Sequence, residues 1–97
     1  MKLCLAIDTS LYGTSLALFD LAQKNTVLWQ GVHAAKGAAD AALARLLEEG
    51  LTHSNYTLSD INFIVVAQGP GSFTGIKVGL AWAYAFVRGR NSACRIL

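Results

Sequence analysis

The first third of the chain has short apolar runs separated by polar turns. These runs cover residues 3–7, 14–20 and 26–32, and each is short enough to be a single strand. The polar turns between them are too short for a helix, so the runs are expected to pair in sequence. We therefore predict a three-strand antiparallel meander.

In the rest of the chain, the spacing of apolar residues is typical first of a helix, then of a strand, and then of a helix again. Apolar residues from Ala39 to Leu51 recur at spacings of three and four, which indicates one face of a helix, and residues 52–56 form a polar connector. The continuous apolar run at 61–67 predicts a buried strand. Residues 74–88 predict a second helix, apolar on nearly every side and ended by Gly89 as its C-cap.

Residues 92–97 fit the start of one more strand. A meander followed by alternating helices and strands predicts an α/β fold with a mixed sheet. A right-handed crossover would place the fourth strand parallel to the first. This is the layout of a ribonuclease-H-like (actin and hexokinase superfamily) half-domain.

Composition narrows the class of protein. The chain has 97 residues, of which 54% are hydrophobic and 14% charged, so a single folded domain over 1–97 is expected and a disordered chain is excluded. So few charges suggest that some apolar surface meets another chain. The opening apolar run is interrupted by Asp8, which argues against a signal peptide, and no apolar segment is long enough to span a bilayer.

Charge is unevenly distributed. The net charge is +2, yet residues 77–97 hold four basic residues and no acidic one. Such a segment could bind an anionic partner such as RNA. The alternative is that it reflects only the preference of helix ends for cations. Cys4 and Cys94 are too far apart in sequence for a metal knuckle or a redox pair, which favours a reduced, cytoplasmic setting.

Two loops have residues that suit phosphate chemistry. Asp8, Thr9 and Ser10 follow the first strand, where small residues let backbone N–H groups approach a phosphate; the alternative is an Asx turn. The loop 69–75 lies between a strand and a helix and is rich in glycine, so it could hold an anion or simply begin the helix. The candidate residues of this second loop are Gly71, Ser72, Thr74 and Gly75.

Several other chemistries are disfavoured by spacing. The loop 69–75 lacks the lysine of a Walker A motif and the glycine spacing of a dinucleotide fingerprint. Ser72 has no glycine two residues away on either side, so it is not a nucleophile elbow. Neither His33 nor His53 has a second histidine at helical spacing, so a zinc helix is not expected.

Three blocks of sequence together resemble the TsaB (YeaZ) family. These blocks are residues 5–10, 15–18 and 69–81, of which Gly-Pro-Gly-Ser-Phe-Thr-Gly at 69–75 is the most specific. The resemblance implies an actin-like ATPase-superfamily domain, paralogous to the catalytic subunit TsaD, that does not itself transfer threonylcarbamoyl to tRNA adenosine. Family chains are about twice this long, so residues 1–97 are expected to be the N-terminal half without its second half.

The resemblance also implies partners. Proteins of this family dock on TsaD through their N-terminal helices, recruit the ATPase TsaE and pair with themselves, whereas tRNA is contacted only indirectly. The expected interface residues lie on both helices: Leu43, Leu46, Leu47, Ile76, Gly79, Leu80, Trp82, Ala83 and Val87.

ATP or ADP is expected to bind only weakly, because nucleotide binding of the superfamily type needs the cleft between two halves. No other cofactor is expected. Catalytic residues and a metal are not expected. A peptidase is rejected because His33 is followed four residues later by Gly37 and not by histidine. The alternative function is a small phosphotransferase or ATPase that uses Asp8 and the loop 69–75.

Overall fold

The computed structural model describes residues 3–9, 13–23, 26–34, 39–67, 73–89 and 94–96. Within these residues, five strands and two helices form the fold. In chain order they are β1 (Leu3–Asp8), β2 (Thr14–Asp20), β3 (Thr26–His33), α1 (Ala39–Ser54), β4 (Ile61–Val66), α2 (Phe73–Gly89) and β5 (Arg95–Ile96). Short 3₁₀ turns at Leu21–Gln23 and Leu58–Asp60 connect them.

The strands form one mixed sheet in the order β3-β2-β1-β4-β5. β1 is antiparallel to β2, and β2 is antiparallel to β3. β4 runs parallel to β1 on its other side, and β5 runs parallel to β4. The predicted meander and the predicted parallel placement of β4 are therefore confirmed.

Both helices cover the same face of the sheet. α1 packs on β2 and β3, while α2 packs on β1, β4 and β5 and touches α1. Along β1 the side chains of Leu3, Leu5 and Ile7 point into this layer, since alternate residues of a strand face the same side. The opposite face of the sheet, which includes Ala6 and Ala17, lines an open groove.

The end of α1 is set by a backbone motif and lies later than predicted. Asn55 adopts φ 61°, and the N–H of Tyr56 donates to the carbonyl of Leu51 at 3.1 Å, which is a Schellman cap with Asn in the left-handed position. Thr52 and Ser54, predicted to lie in a connector, belong to the helix. Tyr56 also packs against the core, which supports the cap.

The end of α2 also differs from the prediction. Gly89 is the last residue of the helix and has no left-handed φ, so it is not the C-cap expected from sequence. Nothing lies within 4 Å of the position that a Cβ on Gly89 would occupy. The glycine at this position is therefore not required by local packing.

Two glycines make room for one aromatic ring. A Cβ on Gly31 would lie 2.4 Å from the Trp29 ring, and a Cβ on Gly50 would lie 2.7 Å from it. The indole therefore lies between β3 and α1 in a space that only glycine leaves open. Gly50 lies within α1 for this reason, although glycine disfavours a helix.

Candidate functional site

The candidate site lies where β1 and β4 end. Asp8 is the last residue of β1, and Ala67 directly follows β4, with its N–H donating to the carbonyl of Ile7 at 3.0 Å. Parallel strands bring their carboxyl ends to one edge of a sheet, which is where α/β folds bind ligands. An open groove of about 580 Å³ begins there and extends over the uncovered face of the sheet.

The groove has small side chains in its floor and few polar groups. Ala6, Ala17 and Val65 form the middle of the floor, and Asp8 and Ser15 lie side by side at one end. Asp8 was predicted from the sequence and Ser15 was not, because a serine in a strand carries no motif of its own. The strand alternation of β2 could have placed Ser15 on the same face as Ala17.

Thr9 has a structural contact. It is 5% exposed, and its hydroxyl donates a hydrogen bond to the carbonyl of Gly75 at 2.5 Å. A Cβ on Gly79 would lie only 2.6 Å from the same hydroxyl oxygen. Thr9 and Gly75 were predicted to bind phosphate in two separate loops. The structure brings the two residues together through this hydrogen bond, which connects β1 to α2.

The structure describes little of the other residues that were predicted to bind phosphate. Ser10, Gly71 and Ser72 lie outside the described residues. Thr74 is the second residue of α2, and its side chain is not described. Among the residues that the structure describes, no three histidine, cysteine or acidic side chains converge as a metal site.

The predicted interface residues divide into two groups. Five are buried in the described fold, namely Leu43, Leu46, Leu47, Gly79 and Ala83. The other four remain partly exposed on α2, namely Ile76, Leu80, Trp82 and Val87. The partner interface stays a prediction for both groups, and the partly exposed group is the one that a partner can reach directly.

The exposed side of α2 is apolar in its middle and basic at its ends. Tyr84 is 60% exposed, and Ala81 and Ala85 beside it are exposed as well. Ile76, Leu80 and Tyr84 follow one another at a spacing of four, so they form one strip along the helix. We call Ile76, Leu80, Tyr84 and Val87 the α2 strip. On its other flank, Trp82 stacks on Phe86 with ring centroids 5.5 Å apart.

A second groove, of about 610 Å³, lies between α1 and the outer strand β3. Trp29 and His53 line it, together with an ion pair of Arg45 and Glu49 at 3.0 Å. Arg45 also contacts Nδ1 of His33 at 3.2 Å. This cluster could not be recognised from local sequence patterns because it joins residues from two separate elements.

Neither cysteine is exposed. Cys4 is 0% and Cys94 1% exposed, and both are free thiols. Burial, with a smaller contribution from Cys94, raises the pKa of the Cys4 thiol to about 11. Such a thiol is protonated and unreactive near neutral pH. Within the described residues, neither helix is long and apolar enough to cross a membrane.

The fold defines the class of protein. A meander followed by parallel βα units, with both helices on one face, is the actin-like, ribonuclease-H-like α/β arrangement that the sequence predicted. YeaZ from Pseudomonas aeruginosa superposes with a TM-score of 0.84 at 22% identity, covering 100% of this chain and 43% of that chain. At this identity the similarity shows the fold alone.

Sequence comparison shows the family. The family model for TsaD, tRNA N6-adenosine threonylcarbamoyltransferase, matches residues 26–94, and the chain belongs to this family. The tRNA threonylcarbamoyladenosine biosynthesis protein TsaB of Escherichia coli K12 is 32% identical over 87 residues, which is 88% of this chain and 35% of that protein. TsaB of Bacillus subtilis is 33% identical over 79 residues, 81% of this chain and 33% of that protein.

The predicted similarity to TsaB and YeaZ is therefore confirmed. A further TsaB, from Buchnera aphidicola of Baizongia pistaciae, is 30% identical over 94% of this chain and 39% of that protein. The chain thus spans roughly a third to two fifths of the length of these relatives.

Proposed function

We propose that this chain is a non-catalytic partner subunit of a TsaD protein and supports transfer of threonylcarbamoyl to the adenosine next to the anticodon of tRNA. One observation carries the proposal: relatives named TsaB, for tRNA threonylcarbamoyladenosine biosynthesis, align with 81% to 94% of the chain. Because tRNA modification of this kind takes place in the cytoplasm, that is where we expect the chain to act.

Docking would use the α2 strip. Ile76, Leu80 and Val87 are already half-buried at the edge of the core, so a partner has to cover only their outer parts and Tyr84. Aromatic residues such as Tyr84 are common anchors at interfaces. α2 carries Lys77 and Arg88 and no acidic residue, which favours a partner whose facing surface is acidic.

Other partners follow from the same proposal. The ATPase TsaE would join the complex, and the chain would form a homodimer when alone. tRNA would be bound by the complex and touch this chain only indirectly. The basic stretch 77–97 can contribute to any of these contacts through long-range attraction of anions.

The test is complex formation with TsaD from the same organism, measured by size-exclusion chromatography with light scattering. Ala81→Glu/Tyr84→Glu changes two exposed positions on α2 and is expected to weaken binding at least about tenfold, since two acidic groups would be desolvated against an acidic partner surface. Gln30→Glu/Val32→Glu adds the same charges to an exposed strand and serves as the matched control. It is expected to bind TsaD like the wild type.

Separate peaks for wild type and TsaD would contradict the proposal. Equal loss of binding in both variants would contradict the assignment to α2, because only the α2 variant alters that helix. Transfer activity of TsaD with and without the chain gives an independent readout. We expect the chain alone to show no transfer.

The second candidate is a phosphate-binding enzyme, and the groove favours it. Asp8 ends β1 and Ser15, its cross-strand partner, lies near the start of the antiparallel strand β2, so both lie at one end of a groove of a size that holds a nucleotide. ATP or ADP would be its ligand, bound only weakly by one half of the superfamily fold. ATP turnover that disappears in Asp8→Ala, with TsaD binding unchanged, would separate this activity from the partner role.

A further inference from the structure

The groove of about 610 Å³ between α1 and the outer strand β3 has no part in either function proposed above. We call it the α1–β3 groove. Its α1 side is one exposed stripe of residues at spacings of three and four, namely Arg45, Glu48, Glu49, Thr52 and His53. Trp29 of β3 forms the other side. Because α2 packs on β1, β4 and β5, the groove lies at the flank of the helix layer opposite to α2.

Trp29 gives the groove a fixed aromatic wall. Its ring packs so closely on two glycines that a Cβ on Gly50 would lie 2.7 Å from the ring, and a Cβ on Gly31 would lie nearer still. The Trp29 side chain is nevertheless only partly buried, since it also lines the groove. A ring that is already held by packing loses little conformational freedom when a ligand covers its open part.

The charges around this ring favour a cation. Arg45 pairs with Glu49 at 3.0 Å and contacts Nδ1 of His33 at 3.2 Å, so its own charge is offset. Within the described residues, Glu48 forms no ion pair or hydrogen bond, which leaves one carboxylate in the groove uncompensated. A carboxylate and an aromatic ring both attract a cation, whereas the carboxylate repels phosphate.

An organic cation fits these groups better than a metal ion. Among the residues that the structure describes, no three histidine, cysteine or acidic side chains converge, so the groove lacks the ligands that a metal requires. The ammonium of lysine and the guanidinium of arginine need only one carboxylate and can cover an aromatic ring with their aliphatic stems.

The position of the groove favours a cation that is carried by a polypeptide. β3 stands last in the strand order, so its outer N–H and C=O groups face no other strand of the described sheet. An extended segment can add to such an edge through main-chain hydrogen bonds. Every second side chain of that segment would lie on the α1 face of the sheet, beside Trp29 and Gly31.

We propose that the α1–β3 groove binds the side chain of a lysine or arginine from an extended segment of a partner protein. The aliphatic stem packs on Trp29, and the charged end lies beside the carboxylate of Glu48. Arg45 keeps its contacts with Glu49 and His33. The inference does not rest on the proposed function, because it uses neither the α2 strip nor the groove at Asp8.

NMR titration of the isotope-labelled chain tests the site. The chain has two tryptophans, so the indole N–H of Trp29 reports on the groove and that of Trp82, on α2, is an internal control. The probe is the strand-forming peptide Thr-Val-Thr-Lys-Thr-Val-Thr. We expect it to shift the Trp29 signal to saturation and to leave the Trp82 signal in place. The same peptide with glutamate in place of lysine should bind at least about tenfold more weakly.

Glu48→Gln removes the uncompensated carboxylate and should weaken binding of the lysine peptide about threefold, as expected for an exposed ion pair. Ala44→Lys is the matched control. It makes the same change in net charge at an exposed position of α1 that does not line the groove, so it should bind the peptide like the wild type. Circular dichroism checks that both variants are folded.

Four results would overturn the inference. One is a Trp29 signal that the lysine peptide does not shift up to its solubility limit. Another is equal weakening by Glu48→Gln and Ala44→Lys, which would reduce the effect to net charge. The third is binding of N-acetyl-lysine methylamide as tight as that of the peptide, which would make the ligand a small cation. The fourth is tighter binding of a single-stranded oligouridylate than of the peptide. None of these results bears on TsaD binding, which is measured separately.

Discussion

The hydroxyl of Thr9 donates a hydrogen bond of 2.5 Å to the carbonyl oxygen of Gly75, and this bond joins the end of β1 to the first turn of α2. Sixty-six positions separate the two residues in sequence. The bond lies beside Asp8, at the carboxyl edge of the sheet. It fixes the start of α2, the helix that we propose as the docking surface, relative to that edge.

Thr9→Val should lower the free energy of unfolding by about 1 to 2 kcal/mol, because it removes a hydrogen bond from a buried carbonyl without changing side-chain volume much. Thr26→Val is the matched control. Its hydroxyl donates a bond of the same length to Gln23, but in an exposed turn, where water can replace it. Urea denaturation measures both. Equal effects of the two substitutions would show that the Thr9 bond contributes nothing through burial.

Gly79→Ala should destabilise the protein by about 1 to 3 kcal/mol, since the new Cβ would lie 2.6 Å from the Thr9 hydroxyl oxygen. Gly89→Ala, in the same helix, meets nothing within 4 Å and should stabilise by about 0.5 to 1 kcal/mol through helix propensity. Thermal unfolding gives both signs. Adding Thr9→Ala to Gly79→Ala should recover part of the loss, and no recovery would mean that the clash lies elsewhere.

The strands and helices could be predicted because their periods are local. The error at Thr52–Ser54 arose because polar residues in the last turn of a helix look like a connector; Asn55, a left-handed cap, was the signal that would have corrected it. The interface predicted at the leucines of α1 raises a different difficulty. An apolar helix face requires a cover, but sequence does not tell whether the cover is the chain's own sheet or a partner.

The candidate site was less predictable than the fold. Asp8 could be found because it ends an apolar strand, whereas Ser15 and Gln30 reach the groove only through the pairing of three strands. The position of β3 at the edge of the sheet depends on the strand order, which local sequence patterns do not specify. The hydrogen bond between Thr9 and Gly75 likewise results from the crossover that carries α2 back over β1.

Asn55→Ala should destabilise by about 1 kcal/mol, because alanine is disfavoured at the left-handed φ of 61° that closes α1. Asn55→Gly should be neutral or slightly stabilising, since glycine adopts this conformation without a steric cost. Chemical denaturation distinguishes the two. If both substitutions were equally harmful, the Asn55 side chain and not its backbone conformation would be responsible.

Buried Cys4 predicts a loss of stability at alkaline pH. Burial raises its thiol pKa from the ordinary value of 9.0 to about 11 in the folded chain. The folded state therefore holds the thiol proton more tightly than the unfolded state. The stability that the protonated Cys4 thiol gives the folded state is fully present below pH 9. It is lost as pH rises from about 9 to 11, because only the unfolded thiol ionises freely there. A shift of this size corresponds to about 3 kcal/mol when the whole pH range is crossed.

Cys4→Ala isolates the contribution of this thiol, since the two proteins differ at that position alone. We expect the free energy of unfolding of the wild type to fall more steeply above pH 9 than that of the variant, by up to about 2 kcal/mol at pH 11. Urea denaturation at a series of pH values measures the difference. Parallel pH profiles would mean that the unfolded chain keeps the thiol equally protected, or that solvent reaches Cys4 in the folded state.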